Sequence, residues 1–138
     1  MNYLPIFIDI KQKPCLVIGG GDIALRKINL LLKANASITC VSKECCSGIE
    51  KLVKDNKINH IEKAFEATDI NAQVLIVSAT DDSELNAQVS VLAKAANIPV
   101  NVVDSPDLCS FVMPSIVDRS PIVIAISSAG KAPVLARL

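Results

Sequence analysis

A chain of 138 residues suits one domain with a real hydrophobic core. Half of it is apolar (51%), yet it has no Trp and a single Tyr, so aliphatic side chains must fill the interior. Short Val and Ile runs of that kind favour strands buried on both faces, as in a parallel α/β sheet. The formal net charge is zero, which excludes global steering toward nucleic acid or an acidic membrane and leaves any anionic ligand to a local cluster.

The opening segment, Met1 to Lys13, has no leading positive charge and no long apolar core, so it does not read as a signal peptide. No segment approaches the roughly 20 apolar residues of a membrane helix. The expected location is the cytoplasm, with no membrane and no nucleic acid as partner. Cys15–Ile18 is a short apolar run before a glycine cluster and predicts a strand. Ala24, Ile28, Leu31 and Leu32 then recur at helical spacing, which predicts an amphipathic helix over Ile23–Lys33. Ser37–Val41 reads as the second strand, and Ser47 with Glu50 as a capping box opening a short helix. Ile58–Ile61 is a weaker strand, and Val74–Ala79 a buried one. Asp81 with Glu84, and Asp82 beside it, suit the cap of a helix that turns Leu85, Val89, Leu92, Ala93 and Ala96 to one face. Val100–Val103 is the fifth strand. This alternation predicts an α/β fold, a Rossmann-like doubly wound parallel sheet with right-handed crossovers.

The pattern changes after Asp104. Phe111–Val117 and Ile122–Ser127 are strand-like runs with only Asp118-Arg119-Ser120-Pro121 between them, which predicts a hairpin or an extended arm. The closing Pro133–Leu138 reads as the first turn of an unfinished helix, as expected of a chain truncated at its C-terminus.

Chemistry enters at Gly19-Gly20-Gly21-Asp22-Ile23-Ala24, which fits G-x-G-x-x-A between a strand and a helix. Gly19 permits the tight turn, Gly21 lets a pyrophosphate approach the backbone, and Ala24 lets the helix pack close. The amides at the helix start, including those of Asp22 and Ile23, would face the phosphates. Asp22 offers its amide, or caps the helix when the site is empty. An acid usually ends the second strand to bind the ribose. Ser42 occupies that place here, followed by Lys43 and Glu44. Lys43 could meet a 2′-phosphate, so NAD and NADP both stay open, and a solvated loop pair is the bland reading of Lys43 and Glu44.

Ligands of such sheets sit beyond the carboxyl ends of the strands. Three segments lie there: Gly19–Asp22, Ala79–Asp82 with Thr80, and Asn101–Ser105. Asp104 ends an apolar strand before Ser105-Pro106 and suits either a catalytic acid or a turn-forming Asp. From residue 119 onward the chain carries Arg119, Lys131 and Arg137 and no acidic residue. With the Ser127-Ser128 turn, that stretch suits a polyanionic substrate or a solvated hairpin end. Five cysteines without CxxC spacing argue against a disulfide framework or a structural zinc site. Cys15 and Cys40 read as small buried hydrophobes. The one histidine, His60, reads as a surface residue and allows no Ser-His-Asp triad.

Together these segments resemble the N-terminal domain of siroheme synthases and stand-alone precorrin-2 dehydrogenases. The resemblance rests on Leu4–Phe7, Val17–Ala24 with Arg26-Lys27, Ala79–Asp82 and Asn101–Asp104. It is most specific over Ser110–Pro121, followed by Ile126–Ser128 and Pro133–Arg137. Ala129 and Ala132 depart from the expected Gly and Ser. The resemblance implies NAD-dependent oxidation of precorrin-2 to sirohydrochlorin, followed by ferrochelation with Fe2+ as substrate. It implies that Asp104 serves both steps as base and transient metal guide, with no preformed metal site. It implies Asn101, Arg119, Ser128, Lys131 and Arg137 as substrate partners. It also implies a homodimer, with residues 1–113 as the NAD-binding domain and 114–138 as the start of a dimerisation and substrate-binding region. The competing reading is an NAD-sensing or NAD-binding module without catalysis. A small hydroxy-acid dehydrogenase would need a substrate domain for which this chain has no room.

Overall fold

A computed structural model of the protein describes residues 1–128. Among these residues two compact units are present: Ile8–Ser110, and Met1–Phe7 together with residues 111–128.

The first unit runs β1 (Pro14–Ile18), α1 (Asp22–Lys33), β2 (Ser37–Ser42), α2 (Ser47–Lys54), β3 (Asn59–Glu62), β4 (Leu75–Ser78), α3 (Ser83–Ala95) and β5 (Val100–Val102). The strands form one parallel sheet in the order β3-β2-β1-β4-β5. The chain thus winds outward from β1 to one side, then returns to add β4 on the other. The expected doubly wound sheet is what the structure has. β1 sits at the centre because it is apolar on both faces: Cys15, Leu16, Val17 and Ile18 are all buried. Leu16 and Ile18 share a core with Val41, Ile76, Val100 and Val102 of the sheet and with Val89 and Ala93 of α3. Burying each such aliphatic side chain is worth roughly 1.5–3 kcal/mol.

The three helices of this unit stop in the same way. Asn35, Asn56 and Asn97 follow the last helical turns with φ near +60° (62°, 56° and 57°). Each lies in a Schellman arrangement: Asn35 N–H donates to Leu32 O and Ala36 N–H to Leu31 O, with the same pattern at Asn56–Lys57 and Asn97–Ile98. Asn tolerates left-handed backbone better than most residues, so these positions act as stop signals.

Several local expectations shift. α1 begins at Asp22, with Gly21 as its N-cap and no side-chain cap bond, so Asp22 does not cap the helix. α2 likewise takes Cys46 as N-cap without a side-chain bond, so the expected Ser47–Glu50 box is absent. The N-cap of α3 is Asp82, whose carboxylate accepts from Glu84 N–H and Leu85 N–H at 3.1 Å each. Ala96 is the C-cap of that helix and is exposed. β3 connects to β4 through a 3-10 turn at Ala67–Ile70. Asp69 anchors that turn by accepting from Glu66 N–H at 2.8 Å and from Lys63 Nζ.

In the second unit, β6 (Ser115–Arg119) and β7 (Ile122–Ile126) pair antiparallel, with Arg119 opposite Ile122. Ser120-Pro121 forms the turn, and Ser120 Oγ donates to Asp118 Oδ1 at 2.7 Å. The expected hairpin forms, but its first strand starts at Ser115 rather than Phe111. Pro114 has no N–H and restricts the residue before it, which delays regular pairing. Ile116, Ile122, Val123 and Ile124 are exposed, as are Leu4, Ile6 and Phe7. No helix among the described residues is long and apolar enough to cross a membrane.

Candidate functional site

The carboxyl ends of β1, β2, β4 and β5 lie along one edge of the sheet because the strands are parallel. Three turns meet there around the glycines. Gly19 has φ +124°, a conformation L side chains rarely adopt, and a Cβ on it would strike the Ala79 carbonyl. The turn after β1 therefore packs directly on the turn after β4. A Cβ on Gly20 would strike the Glu44 carbonyl and come within 2.8 Å of Ser42 Oγ. Cys46 N–H also donates to Gly20 O at 2.7 Å. The loop after β2 thus closes over the same turn.

Gly21 differs from both neighbours. Nothing lies within 4 Å of where its Cβ would be. Open space in front of a glycine, at the start of a 12-residue helix without a side-chain cap, is what an incoming anion needs. The first helical amides are not used within the helix, and the helix dipole favours negative charge there. The residues fit a dinucleotide pyrophosphate on this geometry. Asp22 and Ile23 are exposed at the mouth of the turn.

The supports of the turn come from residues whose roles were not legible in advance. Cys40 is buried and its thiol donates to Gly19 O at 3.2 Å, while burial pushes that thiol up to about 11. Its role exceeds that of a small hydrophobe. Ser42 Oγ lies 2.9 Å from His60 Nε2, so His60 is half-buried beside β2 and not a plain surface residue. The available sequence signal was a polar side chain on each of two short strands. Their pairing depends on the β2–β3 register, Cys40 opposite His60 and Ser42 opposite Glu62. Lys43 and Glu44 are exposed.

Thr80 belongs to a polar network under the β4 turn. Its hydroxyl and that of Ser78 both donate to Asn86 Oδ1 at 2.7 Å, and Asn86 Nδ2 donates to Thr80 O at 3.0 Å. Asn86 is 7% exposed. A polar residue on the apolar face of α3 was the sign that this position had a partner.

Asp104 follows β5 in a tight turn, with Ser105 N–H donating to Val102 O at 3.2 Å. Its φ is +60°, which Asp tolerates better than most side chains. Asp104 is exposed in this chain. It stands on the same sheet edge as the glycine turn, two strands away, about 10 Å by the usual strand spacing. Asn101 is buried within β5. Arg119 is exposed at the end of β6, where its Nη1 donates to Asp118 O at 3.2 Å. Ser128 is half-buried. Lys131 and Arg137 lie outside the described residues.

Comparison with known proteins agrees with this geometry. A family model described as "Putative NAD(P)-binding" matches residues 6–115. The chain is 75% identical, over its whole length, to 29% of a siroheme synthase from Ruthia magnifica subsp. Calyptogena magnifica. It is 53% identical, again over its whole length, to 30% of a siroheme synthase from Methylobacillus flagellatus. The chain thus spans under a third of the length of these relatives. Among solved structures, "SirC, precorrin-2 dehydrogenase" superposes with a TM-score of 0.81 at 27% identity, covering 97% of this chain and 65% of that one. With the glycine turn, the strand order and the family match in agreement, this chain belongs to the NAD(P)-binding family and is related along its full length to siroheme synthases.

Proposed function

We propose that this chain catalyses NAD+-dependent dehydrogenation of precorrin-2 to sirohydrochlorin, and then assists insertion of Fe2+, its second substrate, to give siroheme. The observation that carries the reading is the open cradle at Gly21, on the same sheet edge as the Asp104 carboxylate. Similarity to siroheme synthases and to a precorrin-2 dehydrogenase supports the choice of substrate.

When bound, NAD+ supplies a hydride acceptor. The backbone of Gly21, Asp22 and Ile23 holds the pyrophosphate at the α1 N-terminus. Ser42, Lys43 and Glu44 line the adenosine ribose, and Thr80 borders the cofactor from the β4 turn. Asp104 accepts the proton that leaves the macrocycle as the hydride departs. In chelation the same carboxylate takes a pyrrole N–H proton and briefly guides the metal. Asn101, Arg119, Ser128, Lys131 and Arg137 bind the substrate, the cationic side chains meeting its carboxylates.

The proposed division of labour assigns residues 1–113 to the dinucleotide and 114–138 to dimerisation and substrate. The exposed apolar residues of β6 and β7 support a homodimer. Its proposed setting is the cytoplasm.

Anaerobic mixing with precorrin-2 and NAD+ tests the chemistry through NADH absorbance. Asp104→Asn is the sharper variant, because Asn keeps the shape and tolerates the left-handed backbone. It should bind NADH normally and turn over about a hundredfold or more slowly. Unchanged turnover removes Asp104 as the base, and no NADH from the wild-type protein leaves a binding module without chemistry.

A further inference from the structure

Rossmann sites that bind NAD commonly end the second strand in a carboxylate that holds the adenosine ribose. This chain ends β2 in Ser42 instead. Two observations place the Ser42 hydroxyl beside the dinucleotide turn. Its Oγ is 2.8 Å from where a Cβ on Gly20 would stand. It also lies 2.9 Å from His60 Nε2, on the adjacent strand.

A lone serine hydroxyl rotates freely and is a weak ribose partner. A hydroxyl held by an imidazole has its proton or its lone pairs directed, according to which ring nitrogen carries hydrogen. With Nε2 as acceptor, Ser42 presents lone pairs to a ribose hydroxyl. With Nε2 as donor, Ser42 turns its own proton outward, toward a ribose oxygen or a phosphate. Either way the pair offers directed hydrogen bonding without the fixed negative charge of an acid. The nearby cation Lys63 is engaged with Asp69. Exposed Lys43 and Glu44 carry opposite charges beside the pair, and Glu62 is exposed opposite Ser42.

We propose that Ser42 and His60 form the adenosine-ribose contact of this site, with His60 as a positioning residue that directs the Ser42 hydroxyl. This inference rests on the dinucleotide-binding reading above. Because the pair carries no fixed charge, it does not repel a 2′-phosphate as a ribose-binding acid would. The site therefore accepts NADPH nearly as well as NADH.

Titration of the protein with NADH and with NADPH, followed by nicotinamide fluorescence, tests this in wild type, Ser42→Ala, His60→Leu, His60→Gln, the Ser42→Ala/His60→Leu double variant and Gly21→Val. Loss of one neutral hydrogen bond corresponds to about three- to tenfold weaker binding. Ser42→Ala and His60→Leu should each show that loss, and the double variant should be no weaker than Ser42→Ala. His60→Gln should restore affinity, since its carboxamide nitrogen reaches the place of Nε2. NADPH should bind within about tenfold of NADH.

Additive losses, an unaffected His60→Leu, or a preference for NADH above about a hundredfold would each overturn the inference, the last because a carboxylate would then be holding the ribose. Should His60→Leu fail to fold, His60→Ala takes its place: a loss matching that of Ser42→Ala supports the inference, and wild-type affinity refutes it. Failure of the dinucleotide reading has a separate signature. In that case wild type binds neither nucleotide, or Gly21→Val leaves binding unchanged, and the inference falls with it.

Discussion

Gly20 and Gly21 are adjacent, yet the structure makes them fail in opposite ways when a methyl group is added. At Gly21 the new Cβ enters open space, and the residue has φ −92°, which Ala adopts without strain. Ala is a poorer N-cap than Gly by about 1 kcal/mol, while the stiffer unfolded chain returns about 0.4–1 kcal/mol. Gly21→Ala should therefore change stability by less than about 0.5 kcal/mol, and shift Tm by no more than about 2 °C. The same methyl stands where a pyrophosphate must approach. Loss of a charge-assisted hydrogen bond of about 1.5–3 kcal/mol weakens NADH binding about ten- to a hundred-and-fifty-fold. At Gly20 the Cβ meets the Glu44 carbonyl, so the loop must move and the 2.7 Å bond from Cys46 N–H is lost. Overpacking of that kind costs about 1–3 kcal/mol, so Gly20→Ala should melt several degrees lower. Thermal denaturation and NADH fluorescence titration, run on both variants, separate the two effects. A Gly21→Ala protein that melts like Gly20→Ala, or that binds NADH as the wild type does, would refute the cradle.

Asp82→Ala removes the α3 cap and should cost about 1 kcal/mol in chemical denaturation, whereas Asp81→Ala should be nearly silent. Asn86→Ala leaves the Ser78 hydroxyl without its acceptor and Thr80 with only the Asp82 carbonyl at 3.3 Å. It should cost about 1–3 kcal/mol, and Thr80→Val should cost less because Thr80 is only partly buried. Burial raises both Cys15 and Cys40 from 9.0 to about 11. Their thiols stay neutral in the folded chain while the unfolded chain ionises, so their contribution is complete below about pH 9 and is lost as pH rises to about 11. The slope is about 1.4 kcal/mol per pH unit per thiol. A Cys15→Ala/Cys40→Ala protein should lose stability less steeply than wild type over that window, and parallel curves would contradict the assignment.

Much of the architecture was legible because it depends on local periodicity. Doubly apolar runs such as Cys15–Ile18 make central strands, and Ala24, Ile28 and Leu31 make a one-sided helix. Element ends were less legible. The Asn residues after the three described helices act as stop signals through a left-handed backbone that no local pattern marks. Asp81 and Asp82 both read as caps, and only Asp82 meets the free amides, since one residue of phase decides between the two carboxylates. Pro114 moved the start of the hairpin for a reason the sequence does contain.

By itself the sequence determined the class of sheet, the glycine turn and its helix, and the placement of Ser42 at the end of one strand and of Asp104 after another. These follow from short-range patterns of apolar, glycine and turn residues. Only the tertiary structure decided that Gly20 packs on Glu44, that Cys40 holds the Gly19 carbonyl, that Ser42 meets His60, and that Asp104 stands exposed in a left-handed turn. Each of these depends on strand register and on the close approach of loops distant in sequence. Such contacts are set by the packing of the whole sheet, and no local pattern of residues encodes them.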